Sequence, residues 1–215
     1  WTRDFPDYPG TPPPWNIPGL MYWQGAHFRD PARMDLLVQM RRVGGESYLL
    51  DGRTGATVWE RKEGRPSRDF GRWWMAMDDL DGDGLDDILD VYPDMFCTVR
   101  GTDGALMVAD ESVKFVDIYA YYADCILGDF LGTGKPQALY LHEFVTALLQ
   151  PNGDRIWKLE HPHPAGWRNQ AACGDMDGDG KLELCFPGAM GDAGLEFQCR
   201  DVATGDLKWR LPIPD

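Results

Sequence analysis

The chain has 215 residues, with 35 acidic against 21 basic side chains, a formal charge of −14 and an isoelectric point near 4.6. That balance argues against nucleic acid and anionic membrane surfaces as partners. No apolar run approaches the roughly 18 residues of a membrane helix, which argues against membrane insertion.

In chain order, residues 1–20 come first and carry Pro6, Pro9, Pro12, Pro13, Pro14 and Pro18. Proline cannot donate to a sheet ladder, so this segment is expected to be an extended lead-in. It opens Trp1-Thr2-Arg3-Asp4 without a Met or an apolar leader, as expected of a processed protein or a piece of a longer one. From residue 21 the chain divides into four units, at about 21–62, 63–112, 113–160 and 161–215.

The first unit holds the loop His27–Asp35, the apolar run Leu36-Leu37-Val38 and the turn Asp51-Gly-Arg-Thr54-Gly55-Ala-Thr-Val-Trp59. The second has Asp79-Leu-Asp81-Gly-Asp83-Gly-Leu-Asp-Asp87, then Ile88-Leu89, then a turn at Gly104 where Val108 stands in the Trp position. In the third, Asp129-Phe-Leu131-Gly-Thr133-Gly-Lys-Pro-Gln137 is the same loop with most acids gone, and Asn152-Gly153 leads to Trp157. The fourth restores both features, as Asp175-Met-Asp177-Gly-Asp179-Gly-Lys-Leu-Glu183 and Asp201-Val-Ala-Thr204-Gly205-Asp-Leu-Lys-Trp209. The turn glycines fall at 55, 104, 153 and 205, steps of 49, 49 and 52. Such a period is the mark of a repeat architecture.

Each unit reads as strand, loop, strand, strand, Gly turn, strand, the strands about five residues long and rich in Val, Ile, Leu and aromatics. Only Ser112–Ala123 is ambiguous with helix. The expected fold is all-β: a β-propeller of four-stranded antiparallel blades, four in this chain, as a compact ring or part of a larger one. The Thr-Gly turn closes a hairpin, and the Trp after it is a plate that packs between blades.

The two full loops have the composition of calcium sites. Calcium takes six to eight hard oxygen ligands in forgiving geometry. Alternate acids at loop positions 1, 3 and 5, a backbone carbonyl at 7 and an acid at 9 supply them as the chain curls through paired glycines. The expected ligands are Asp79, Asp81, Asp83, Leu85 and Asp87, and Asp175, Asp177, Asp179, Lys181 and Glu183. An EF-hand would need flanking helices and a Glu at position 12, where Asp90 and Phe186 stand. Two structural calcium ions are expected, with no metal at the eroded corners His27–Asp35 and Asp129–Gln137.

The acidic loops resemble the FG-GAP/VCBS-type calcium repeats of integrin α-subunit propellers and many bacterial secreted proteins. The D-x-x-T-G-x-x-x-W turns resemble the tryptophan-docking motif of quinoprotein propellers, without a recognisable ring of quinone contacts. Both motifs in one blade are similar to the eight-bladed propellers of family 11 rhamnogalacturonan lyases. The resemblance covers about residues 20–211. It implies a propeller fold, the eight acidic loop side chains as calcium ligands and a secreted setting, extracellular or periplasmic.

Loops entering the first strand of each blade lie on one face, where propellers commonly bind ligands. Candidate contacts there are Trp23, Arg72, Trp73, Trp74, Tyr122, His161, His163, Trp167 and Arg168, aromatic plates and cations suited to carbohydrate or protein. Ordinary blade packing is the alternative use of these aromatics, and His161-x-His163 could also ligate a metal. Cys97, Cys125, Cys173, Cys185 and Cys199 include no C-x-x-C pair and are expected as core thiols, with one cross-strand disulfide in the last unit as the alternative. Two functions remain: a calcium-stabilised binding or scaffold module for glycan or protein, able to associate with further blades, or a polysaccharide (rhamnogalacturonan or uronate) lyase. In the lyase, calcium and Arg neutralise the uronate while a basic side chain removes the α-proton.

Overall fold

A computed structural model describes residues 19–41, 46–61, 74–92, 95–110, 123–142, 145–161, 171–189 and 195–213. Each unit folds as one four-stranded antiparallel sheet, and no helix occurs among the described residues. Blade one comprises β1 (Gly19–Ala26), β2 (Asp35–Arg41), β3 (Glu46–Leu50) and β4 (Thr57–Arg61). Blade two has β5 (Trp74–Asp78), β6 (Asp87–Tyr92), β7 (Met95–Val99) and β8 (Leu106–Asp110). Blade three has β9 (Ala123–Gly128), β10 (Gln137–His142), β11 (Val145–Leu149) and β12 (Arg155–Glu160). Blade four has β13 (Ala172–Gly174), β14 (Glu183–Ala189), β15 (Leu195–Asp201) and β16 (Leu207–Pro212). Strand β1 begins at the residue after Pro18, where the backbone regains its donors and pairs Gly19 with Arg41. Every strand pairs with its sequence neighbour, so the four sheets are separate meanders.

Strand periodicity assigns successive side chains to opposite faces, and in blades two and three both faces pack against a neighbouring blade. Ile88 packs toward blade one with Leu37, Leu49 and Phe28, while adjacent Leu89 packs toward blade three with Ala138, Tyr140 and Leu149. Leu139 and Leu141 turn the other way, joining Leu184, Phe186 and Val202 of blade four. The core is thus a series of interfaces between sheets. One strand serves two of them, and β11 is buried at all five positions.

The tryptophans fix how blades meet. Trp59 of blade one donates its indole N–H to the Gly101 carbonyl of blade two at 2.8 Å. Trp157 of blade three donates to the Val202 carbonyl of blade four at 2.7 Å. Each ring lies against the turn glycine of the next blade. A β-carbon on Gly104 would sit 2.9 Å from Trp59, and one on Gly205 2.8 Å from Trp157. Both glycines have positive φ, 73° and 77°, so conformation and space both exclude a side chain. Position 2 of each loop makes a second graft. Phe28 lies against Gly101 of blade two, Leu80 packs with the blade-three cluster and Phe130 with Val202 of blade four.

At blade four these grafts have no described blade to enter. Met176, the position-2 residue, is 47% exposed, Trp209 is 48% exposed and Leu211 is 62% exposed. Replacing Gly104 with Ala should cost about 2–3 kcal/mol by straining the turn and unseating Trp59. Chemical denaturation of the variant checks this; a loss under about 0.5 kcal/mol would show that the dock carries little stability.

Candidate metal centres

Position 1 of the loop is a hub for backbone amides. Asp79 Oδ1 accepts from the Gly82 and Asp83 amides, and Oδ2 from Gly84, at 2.7–3.0 Å. Asp175 repeats the pattern with Gly178, Asp179 and Gly180. Asp129 does so with Thr133 and Gly134, although its loop has lost the other acids. Position 5 caps the next turn, with Asp83 Oδ1 accepting from Leu85 and Asp179 Oδ1 from Lys181. The curl is therefore held by side chain–backbone bonds that need no ion.

Position 9 lies at the foot of each loop and is shut from water. Asp35, Asp87, Gln137 and Glu183 are each 1% exposed. A charge there needs a partner, because a buried unpaired carboxylate is costly. The four blades answer that requirement differently.

In blade one the answer is Arg29, at position 3. Its Nε and Nη2 grip Asp35 at 2.7 Å each, and Nη2 also reaches Asp51 Oδ2 at 2.8 Å. Burial works against the charge on Asp35, but Arg29 and the Gly52 amide outweigh it and hold the carboxyl below its usual range. The corner expected to lack metal is thus filled by a guanidinium. In blade three the group is neutral. Gln137 Nε2 donates to the Lys135 carbonyl, position 7, and Oε1 accepts from the Leu131 amide.

In blade two Asp79, Asp81 and Asp87 bring carboxylate oxygens within 4.8 Å of one another, a set that could hold a metal ion. Asp87 Oδ1 accepts from the Gly101 amide at 3.0 Å. Its Oδ2 has no well-formed hydrogen bond, the Leu80 amide lending only weak support. Burial, with Asp81 and Asp83 adding their charge, pushes Asp87 up to about 6. Arg100 stands 3.8 Å from Asp81 Oδ2. An orphaned oxygen among crowded carboxylates fits a missing hard cation.

In blade four Asp175, Asp177 and Glu183 form the matching set. Glu183 Oε2 accepts from the Met176 amide, and Oε1 from Lys208 of β16. Lys208 also reaches Asp177 at 2.9 Å and Asp179 at 3.6 Å. These bonds raise the Lys208 ammonium and, with Lys208 first among the causes, lower Asp177. Lys208 and Arg29 escaped sequence reading. The signal for Lys208 was the β4-type strand position itself, held elsewhere by Val58, Met107 and Ile156.

Of the candidate ligand contacts, Trp23 is 63% exposed on β1. His161 is instead packed inward, edge-on to Phe186 with centroids 5.7 Å apart, its Nε2 hydrogen-bonded to the Thr146 hydroxyl at 2.9 Å. Trp74 begins β5, and nothing is described of its side chain. Arg72, Trp73, Tyr122, His163, Trp167 and Arg168 lie outside the described residues, as does most of Ser112–Ala123. No disulfide joins the five cysteines; Cys97 and Cys199 are buried and Cys173 is exposed.

No family model matches the chain, and no curated protein matches it. Solved structures do. Sqt1 of Saccharomyces cerevisiae aligns with TM-score 0.59 and 9% identity, over 89% of this chain and 48% of its own. BBS1N, solved in complex with ARL6DN, aligns at 0.55 and 13%, over 98% and 58%. The rhamnogalacturonan lyase PL11 of Bacillus licheniformis aligns at 0.53 and 12%, over 92% and 52%. At such identities the likeness shows the fold alone. The chain spans about half the length of these structures.

Removing Arg29 as Arg29→Ala strands Asp35 and should cost about 3 kcal/mol in urea denaturation, with partial recovery in Arg29→Ala/Asp35→Asn. Equal loss in single and double variants would refute the charge-pairing account. Burial, with Arg200 adding, lowers the His161 imidazole to about 4, against 6.5 for the ordinary group. The unfolded chain then takes up a proton that the folded chain refuses. This contribution is complete above pH 6.5 and is lost as pH falls toward 4, by about 1–3 kcal/mol. Denaturation across that range, compared with His161→Gln, measures it; parallel pH profiles would exclude it.

Proposed function

We propose that the chain is a calcium-stabilised β-propeller scaffold whose role is binding. The observation that carries this is the buried Asp87, with one oxygen unsatisfied, beside Asp79 and Asp81. Four of the five carboxylates on this nine-residue loop suit a hard divalent cation, with Asp79, Asp81, Asp83, Asp87 and the Leu85 carbonyl as ligands. Support for the carbonyl comes from blade three, where the Lys135 oxygen receives the Gln137 amide. The matching ligands in blade four are Asp175, Asp177, Asp179, Glu183 and the Lys181 carbonyl. The ions are structural, because each loop lies beside the hairpin turn that receives the preceding blade's graft.

Calcium sites with exposed acids suit the millimolar calcium outside cells, so the setting is extracellular or periplasmic. The proposed blade limits are about residues 62, 112 and 160. The exposed Trp209 and Met176 match the grafts that enter a following blade elsewhere, which supports association with further propeller blades. The ligand is a glycan or protein, with Trp23, exposed on β1, as one contact.

Thermal melts test the reading. Saturating calcium should raise the melting temperature over the chelated chain by about 5–10 °C, and Asp87→Asn should remove most of that gain. A chelator that leaves the melt unchanged rules the structural role out. Incubation with pectic polysaccharides should give no unsaturated-product absorbance; a rise would move the reading to a lyase.

A further inference from the structure

The Asp79–Asp87 loop carries five acids and the Asp175–Glu183 loop four with Lys181 among them, and of the two only the second meets a side-chain ammonium from outside the loop. Lys208 stands 31 residues beyond Asp177 and places Nζ against Glu183, Asp177 and Asp179 together. Those are three of the loop's four acids. At the equivalent place in the other blades the side chain is apolar, Val58, Met107 or Ile156, so strand packing does not call for a lysine. The blade-one corner shows that a side-chain cation can satisfy the position-9 carboxylate by itself, as Arg29 does for Asp35. In the Asp79–Asp87 loop Asp87 Oδ2 is left with no such partner, and Arg100 stands back at 3.8 Å from Asp81.

We propose that Lys208 is a built-in counter-ion of the Asp175–Glu183 loop, so that a divalent cation enters that loop only by displacing the Lys208 ammonium. The inference rests on the calcium reading of the loops and adds an order to it. The Asp79–Asp87 loop fills first, since its carboxylates have no competing ammonium. The Asp175–Glu183 loop fills later, at higher calcium, because the ion must break the Lys208 contacts before it gains its own. Ligand charge count tunes calcium affinity steeply, and Lys208 removes one unit of net negative charge from this loop alone. Filling also frees Lys208 on β16, next to the exposed Trp209, so occupancy alters the charge of the open blade face.

Calcium titration by calorimetry tests this on the full chain and four variants. The unaltered chain should show two binding steps. Glu183→Gln should keep the tighter step and Asp87→Asn the weaker one, which measures the order without touching Lys208. Lys208→Met should tighten the weaker step by about tenfold or more and leave the tighter step unchanged, while Lys208→Arg should preserve the gap. Without calcium, Lys208→Met should also melt below the unaltered chain, and calcium should close that difference. Equal affinities in Glu183→Gln and Asp87→Asn, or a weaker step that Lys208→Met leaves unmoved, would overturn the counter-ion role while leaving calcium in place. Absence of any binding heat in every form would instead remove the calcium reading, and this inference with it.

Discussion

A side chain shut from water at the foot of each loop is the constraint on which the rest of the molecule depends. The residue at that place leads into the second strand of its blade and lies beside the hairpin turn. In blades one and two it accepts from a turn amide, Gly52 or Gly101. Gly101 is in turn the residue against which Phe28 and Trp59 of the preceding blade are packed. Satisfying one buried polar group therefore sets the turn, and the turn sets where the next blade docks.

This chain of dependence explains why four homologous corners can carry four different chemistries. Arg29 pairs with the acid in blade one and Lys208 in blade four, a neutral carboxamide replaces the acid in blade three, and the crowded acids of blade two have the composition of a cation site. What the fold demands is that the oxygen be met, since leaving it bare costs more than any of the four solutions. The blades themselves are coupled only to neighbours, each interface being a separate apolar cluster. In such an array stability is close to a sum over units and interfaces, so one corner can change without the others having to follow.

The fold was legible in the sequence because its signals are local. Turn glycines with φ of 70°, 73°, 89° and 77° are the four that set the period, and the apolar run after each loop became the second strand of each blade. Asp79, Asp81 and Asp87 came together because nine residues of curled chain cannot keep them apart. Lys208 and Arg29 were not legible for the opposite reason. Lys208 meets Asp177 through the folded sheet, and a lysine in a strand reads as an ordinary solvated residue. Arg29 sat in a loop read as eroded, where a lost acid drew more notice than a gained base. His161 stands in a loop open either to ligand contact or to ordinary blade packing on its sequence, and its ring is packed against Phe186.

The hub at position 1 has a consequence for how such chains change over generations. Asp129 grips the Thr133 and Gly134 amides as Asp79 and Asp175 grip theirs, in a loop whose other acids have gone. The shape of the loop thus does not depend on acids at positions 3, 5 and 9. A lineage can drift through substitutions at positions 3 and 9, trading dependence on a dissolved mineral for a permanent internal bond, without passing through an unfolded ancestor.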